Sequence, residues 1–147
     1  MTQGTCKTNQ TSNSIHKQPI GLQEYFICIY YDKAKKGDDK AFQRASNHCL
    51  SQLKLANCGD NFVFKEYKVT SGQDFKKVWS TIYSELNKNV AKVKEMHIFS
   101  HSSKTDGGND GLEFLSTRNS DNKVIEDGTI SYSEIKKKKK LRWSLNA

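Results

Sequence analysis

The chain has a single proline, Pro19, and no stretch approaching the ~18–20 consecutive apolar residues that a membrane-spanning helix needs. Its first fifteen residues, M-T-Q-G-T-C-K-T-N-Q-T-S-N-S-I, contain no apolar core of the kind a secretory signal carries. A cytoplasmic location is therefore expected, with export by a signal-free route left open. The four cysteines, Cys6, Cys28, Cys49 and Cys58, form no C-x-x-C pair and have no histidine at ligand spacing, which removes a structural zinc site. They are expected to be reduced thiols; a Cys49–Cys58 disulfide is the one pairing that the spacing leaves open. Neither G-x-x-x-x-G-K-[ST] nor G-x-G-x-x-G occurs, so no nucleotide or other cofactor is expected.

Acidic residues are the minority, 16 against 24 basic, for a formal charge of +8. The excess is local. Residues 136–142 hold Lys136, Lys137, Lys138, Lys139, Lys140 and Arg142 with no acid, leaving 18 basic against 16 acidic residues elsewhere. Basicity confined to one run describes a solvated helix end rather than a nucleic-acid surface, and no specific nucleic-acid partner is expected. With 35% hydrophobic and 27% charged residues, 147 in all, the composition is that of one globular domain. Residues 1–20, rich in Thr, Asn, Gln, Ser and Lys, are expected to be a disordered polar leader. The domain is placed at 21–147.

From there the pattern alternates. Residues 23–31 (Q-E-Y-F-I-C-I-Y-Y) are almost continuously apolar, β-branched and aromatic, as in a strand covered on both faces. Asp38 or Asp39 is a suitable N-cap for a helix whose stripe is Phe42, Ala45, Cys49, Leu53 and Ala56, with Gly59 as a left-handed stop. Residues 61–69 (N-F-V-F-K-E-Y-K-V) read as a second strand at or near a sheet edge. Ser71 and Asp74 then approximate a capping box ahead of a helix that buries Phe75, Val78, Trp79, Ile82 and Leu86. Residues 93–100 form a third strand. Strand, helix, strand, helix, strand predicts an α/β three-layer sandwich with a mainly parallel sheet and right-handed crossovers. Residues 111–115 and 128–132 are expected to pair as a small hairpin across a polar loop, and Ser133 to cap a final helix.

The chemistry concentrates at residues 93–114, V-K-E-M-H-I-F-S-H-S-S-K-T-D-G-G-N-D-G-L-E-F. A buried strand there delivers His101 to its C-terminal tip, where open α/β folds place their ligands. His101 is suited to general acid and base work. His97 and His101 do not form a metal pair, because four residues of strand span about 13 Å at ~3.3 Å each; His97 is expected to be a core or supporting histidine. The D-G-G-N-D-G loop at 106–111 is not an EF-hand, since Gly108 stands where an oxygen ligand is required and Thr117 where a glutamate is. Its glycines are expected to turn the backbone beside His101. Ser100, Ser102 and Ser103 lie too close in sequence to His101 to be served by it as nucleophiles, and no nucleophile elbow surrounds them.

The element order and the M-H-I-F-S-H-S-S…D-G-L-E-F signature resemble the caspase-like cysteine peptidases, the group of caspases, gingipains, clostripain-like enzymes and bacterial CHAT-type proteases. The resemblance covers residues 23–147. It implies a catalytic general base and acid at His101, matching the family's histidine at the end of the third strand. It implies an oxyanion contact from the backbone N–H of Ser102, which stands where the family commonly has glycine. The family hairpin is matched by Gly111, Leu112, Glu113 and Phe114 and by Asp127, Gly128, Thr129 and Ile130. The nucleophilic cysteine of the family ends a fourth strand, and none of the four cysteines here takes its place. The expectation is therefore a truncated cysteine peptidase or toxin-like effector domain that handles peptide or protein substrates and is inactive as given. An open sheet edge along the third strand would favour self-association. The alternative is a non-enzymatic protein-binding module using the hairpin and the basic run Lys136 to Arg142. A flavodoxin-like small-ligand domain is disfavoured by the lack of a phosphate loop.

Overall fold

The computed structural model describes residues 22–33, 40–104, 110–126 and 128–138. The leader at 1–20, the caps proposed at Asp38 and Asp39, most of the D-G-G-N-D-G loop, Asp127 and the end of the basic run fall outside them. Three strands, β1 (Gln23–Tyr31), β2 (Phe62–Val69) and β3 (Ala91–Phe99), alternate with helices α1 (Ala41–Ala56) and α2 (Gly72–Asn89). The strands form one parallel sheet in the order β2-β1-β3. The fold is α/β, as the alternation predicts.

β1 is central because it alone can be apolar on both faces. Tyr25, Ile27, Ile29 and Tyr31 share a core cluster with Phe75, Trp79, Ile82 and Leu86 of α2. Phe26, Cys28 and Tyr30 alternate to the opposite face, where Phe26 stacks on Phe64 at 5.2 Å and Cys28 meets α1. Each fully buried α2 side chain contributes on the order of 2 kcal/mol of burial. β2 lies at an edge, in line with its partly polar pattern. β3 is the other edge strand. A bulge at Lys94, with Lys92 and Lys94 paired to Glu24, blunts the first half of β3, the usual defence of an exposed edge.

The helix ends differ from expectation in instructive ways. α1 stops at Asn57, which is extended (φ −127°) and caps the Leu53 carbonyl with its own side-chain amide at 2.9 Å, so Gly59 is not the stop. Ala45 and Ala56 are exposed, and the buried position on α1 is Ser46, whose hydroxyl donates to Glu66 at 2.7 Å. α2 is capped as expected: the Asp74 N–H donates to Ser71 Oγ at 3.1 Å. The Asp74 carboxylate, however, accepts from the backbone and hydroxyl of Thr70 rather than from the Ser71 N–H.

Beyond Phe99 the chain builds a second sheet. β4 (His101–Lys104), β5 (Asp110–Glu113) and β8 (Thr129–Ser131) lie in the order β4-β5-β8, all antiparallel. The expected hairpin is its β5–β8 half, with Leu112 opposite Ile130. Its polar loop holds a further small hairpin, β6 (Thr117–Arg118) with β7 (Val124–Glu126). The last described element is α3 (Tyr132–Lys138). Ser131, not Ser133, caps it: the Glu134 N–H donates to Ser131 Oγ, and the Ser131 N–H donates back to the Glu134 carboxylate. Among the described residues no helix is long and apolar enough to cross a membrane.

Two glycines let the β5–β8 hairpin close on itself. A Cβ at Gly128 would stand 2.1 Å from the Phe114 carbonyl oxygen, and one at Gly111 would stand 2.6 Å from that of Ile130. Only glycine lets these backbones approach so closely. Phe114 is thereby fixed against Phe75 at 5.1 Å and Tyr31 at 5.5 Å, joining the hairpin to the main core.

Candidate functional site

His101 is not the last residue of β3. That strand ends at Phe99, Ser100 makes the corner, and His101 opens β4 opposite Glu113 of β5. The consequence for placement is small but real: the imidazole is aimed by the second sheet rather than by the parallel one. It stands exposed at the C-terminal end of the parallel sheet. Its ring is flanked by Phe42 at 4.9 Å and 80° and by Tyr31 at 6.4 Å and 77°, both edge-on arrangements. Among the described residues no hydrogen bond ties down either ring nitrogen. Among the described residues it is aromatic packing that orients the ring.

His101 lines a cleft of about 320 Å³ with Tyr31 and Lys33 from the end of β1 and Glu113 from β5. Phe114, Leu115, Ser116 and Arg118 close its other side. Tyr31 and Phe114 supply an apolar floor, while two cations and one carboxylate ring the opening. Arg118 is held by a 2.9 Å bond from its guanidinium to the Asn122 carbonyl oxygen. Asn119 organises that turn by accepting from the Asp121 and Lys123 N–H groups at 3.0 Å each. Ser116 accepts from the Gly128 N–H at 2.8 Å. Among the described residues Lys33, Glu113 and Arg118 have no ion-pair partner.

Ser102 follows on β4 in register with Leu112 and is exposed, one residue past the imidazole. His97 is not in the core. Half-exposed on β3, it pairs with Glu95 on its own strand at 3.0 Å and does not share a site with His101. No group of three potential metal ligands occurs among the described residues.

No described cysteine reaches the cleft. Cys28 is fully buried in mid-β1 on the α1 side, and burial, then the Cys49 thiol beside it, pushes its thiol up to about 12. A thiol so held is a poor nucleophile. Cys28 and Cys49 are free, so the Cys49–Cys58 disulfide is not formed; Cys58 is disulfide-bonded, which corrects the expectation of reduced thiols throughout.

Of the two residues that the sequence singled out, His101 lines the cleft, while Ser102, its neighbour on β4, is not among the lining residues. Tyr31, Lys33, Phe42 and Arg118 come from three separate elements and carried no motif. The only signal for Phe42 was its place at the head of the α1 stripe. The fold and cleft define an α/β protein with an exposed histidine at the C-terminal edge of a parallel sheet. No protein-family model, no curated protein and no solved structure matches the chain.

Proposed function

We propose that this is a peptide-handling domain of the cysteine-peptidase type, with a caspase-like arrangement, in which His101 is the general base and acid. The observation that carries the reading is the exposed imidazole with both ring nitrogens unengaged by described residues, on the rim of a cleft with an apolar floor. In acyl transfer such a histidine takes the proton of a thiol and returns it to the leaving amine. The Ser102 N–H, next in the chain, is the proposed contact for the developing oxyanion. The thiolate has to come from outside the described residues, since Cys28 is buried and protonated and Cys49 does not line the cleft.

The test is a mixture of unmodified peptides, read by amide-shift mapping of the protein and by mass spectrometry of the peptides. Shifts at His101, Glu113 and Arg118, together with cleavage that His101→Ala and iodoacetamide both abolish, support the peptidase reading. Binding at those residues with no cleavage under any condition favours the second reading, a protein-binding module. The exposed Leu115, Val124 and Ile125 of the hairpin region favour that alternative, offering apolar surface beside the cleft. In it, the basic run that begins at Lys136 would add charge contacts. Neither binding nor cleavage removes both.

A further inference from the structure

A pair of thiols lies between β1 and α1, on the sheet face opposite α2. Cys28 is wholly buried and Cys49 half-buried, and both are free. Their neighbours place them together. Cys28 is in register with Glu66 of β2, and Ser46 of α1 donates its hydroxyl to that same carboxylate at 2.7 Å. Cys49 lies three residues past Ser46, hence on the same face of the helix. The Asn47 amide, turned to satisfy its partners, donates to both Glu66 oxygens at 2.9 and 2.8 Å. Ser46 and Asn47 thus anchor α1 to β2 through Glu66, the register partner of Cys28, which sets the Cys49 face of α1 over Cys28. Nothing in the peptide-handling site uses either sulfur.

We propose that Cys28 and Cys49 form an oxidation site, a dithiol that a peroxide-class oxidant closes to a disulfide joining β1 to α1. Cys49, the more accessible sulfur, attacks the peroxide O–O bond, becoming a sulfenic acid while the peroxide is reduced to water or an alcohol. Cys28 is a poor nucleophile toward a free substrate, but its sulfur is held beside the sulfenic acid, and that proximity lets it displace the hydroxyl from the Cys49 sulfur; the S–S bond forms and the Cys28 proton leaves with that hydroxyl as water. A disulfide holds its two Cα atoms within about 7 Å, so closure sets the spacing of α1 over β1. That spacing matters at the cleft. Phe42 lies two turns before Cys49 on the same helix, and its ring packs on His101. The oxidation state of the pair thereby bears on how the His101 ring is held.

The experiment treats the full chain with hydrogen peroxide, alkylates it in denaturant and maps the tryptic peptides 18–33 and 45–54, which carry Cys28 and Cys49. The expected product is the two peptides joined, lighter than their sum by two hydrogens, separated again by dithiothreitol and absent in Cys49→Ser. The His101 Hε1 resonance is expected to move on oxidation and return on reduction. Both peptides recovered separately alkylated, or Cys49 trapped as a sulfinic acid, overturns the site. A cross-link that leaves the His101 resonance in place overturns the link to the cleft. His101→Ala is expected to cross-link like the wild type, so loss of the peptide-handling reading does not touch this one.

Discussion

The ring of Phe42 stands edge-on to the imidazole of His101, with centroids 4.9 Å apart and planes at 80°. Fifty-nine positions separate them in sequence, yet the head of α1 and the start of β4 meet here because both lie at the C-terminal end of the parallel sheet. With no described hydrogen-bond partner on the ring, this contact and the one with Tyr31 are what limit the imidazole's rotation. Phe42→Leu keeps apolar bulk and removes the aromatic face. The His101 Hε1 signal is expected to lose the ring-current part of its shift, while the melting temperature changes little. An unchanged signal would show that the two rings do not meet in solution.

Gly128 sits where the chain passes directly under residues 114–116. A Cβ there would meet backbone atoms at 2.1, 2.6 and 2.7 Å, and backbone cannot rotate away as a side chain can. Gly128→Ala is expected to cost about 3 kcal/mol, at the upper end of overpacking effects. Gly59→Ala is the control, since its Cβ would meet only the Phe62 ring, at 3.4 Å. Urea denaturation of both variants measures the difference; equal midpoints would mean the Phe114–Gly128 crossing is not formed.

Val90 ends α2 in the left-handed region (φ 47°, ψ 70°), a conformation that a β-branched residue adopts only under strain. It is 68% exposed, so removing its side chain forfeits little burial. Val90→Gly is expected to stabilise the protein by about 1 kcal/mol, relief of the strain outweighing the greater freedom of an unfolded glycine. A lower urea midpoint than wild type would contradict this.

The hydroxyl of Thr70 hydrogen-bonds the Asp74 carboxylate and is the largest cause holding its pKa below the ordinary carboxylate range; burial opposes it, and the Thr70 N–H and Lys77 support it. A carboxyl depressed in the folded state binds its proton more tightly when unfolded. Its stabilisation is thus complete above the ordinary carboxylate pKa and lost as pH falls through the lowered folded value. Asp74→Asn is expected to flatten the acid limb of a stability-versus-pH curve below about pH 4. Identical acid limbs for variant and wild type would show that the cap is not formed.

Periodicity alone determined the α/β class. The continuous apolar run of β1 requires cover on both faces, and the stripe of Phe75, Trp79, Ile82 and Leu86 has only one face to bury. These are local patterns, and local patterns survive translation into a fold. His101 was also visible, because an imidazole at the junction of an apolar run and a polar loop is a local feature too. What tertiary structure decided is everything that depends on elements meeting. Ser46 fills the buried position on α1 because Glu66 of another strand accepts its hydroxyl, and no periodicity rule counts a serine as core. Ser131 displaces Ser133 as a cap because β8 ends where it does. The cleft draws Tyr31, Lys33, Glu113 and Arg118 from separate segments, and only the crossing of the second sheet over the end of the first brings them around one imidazole.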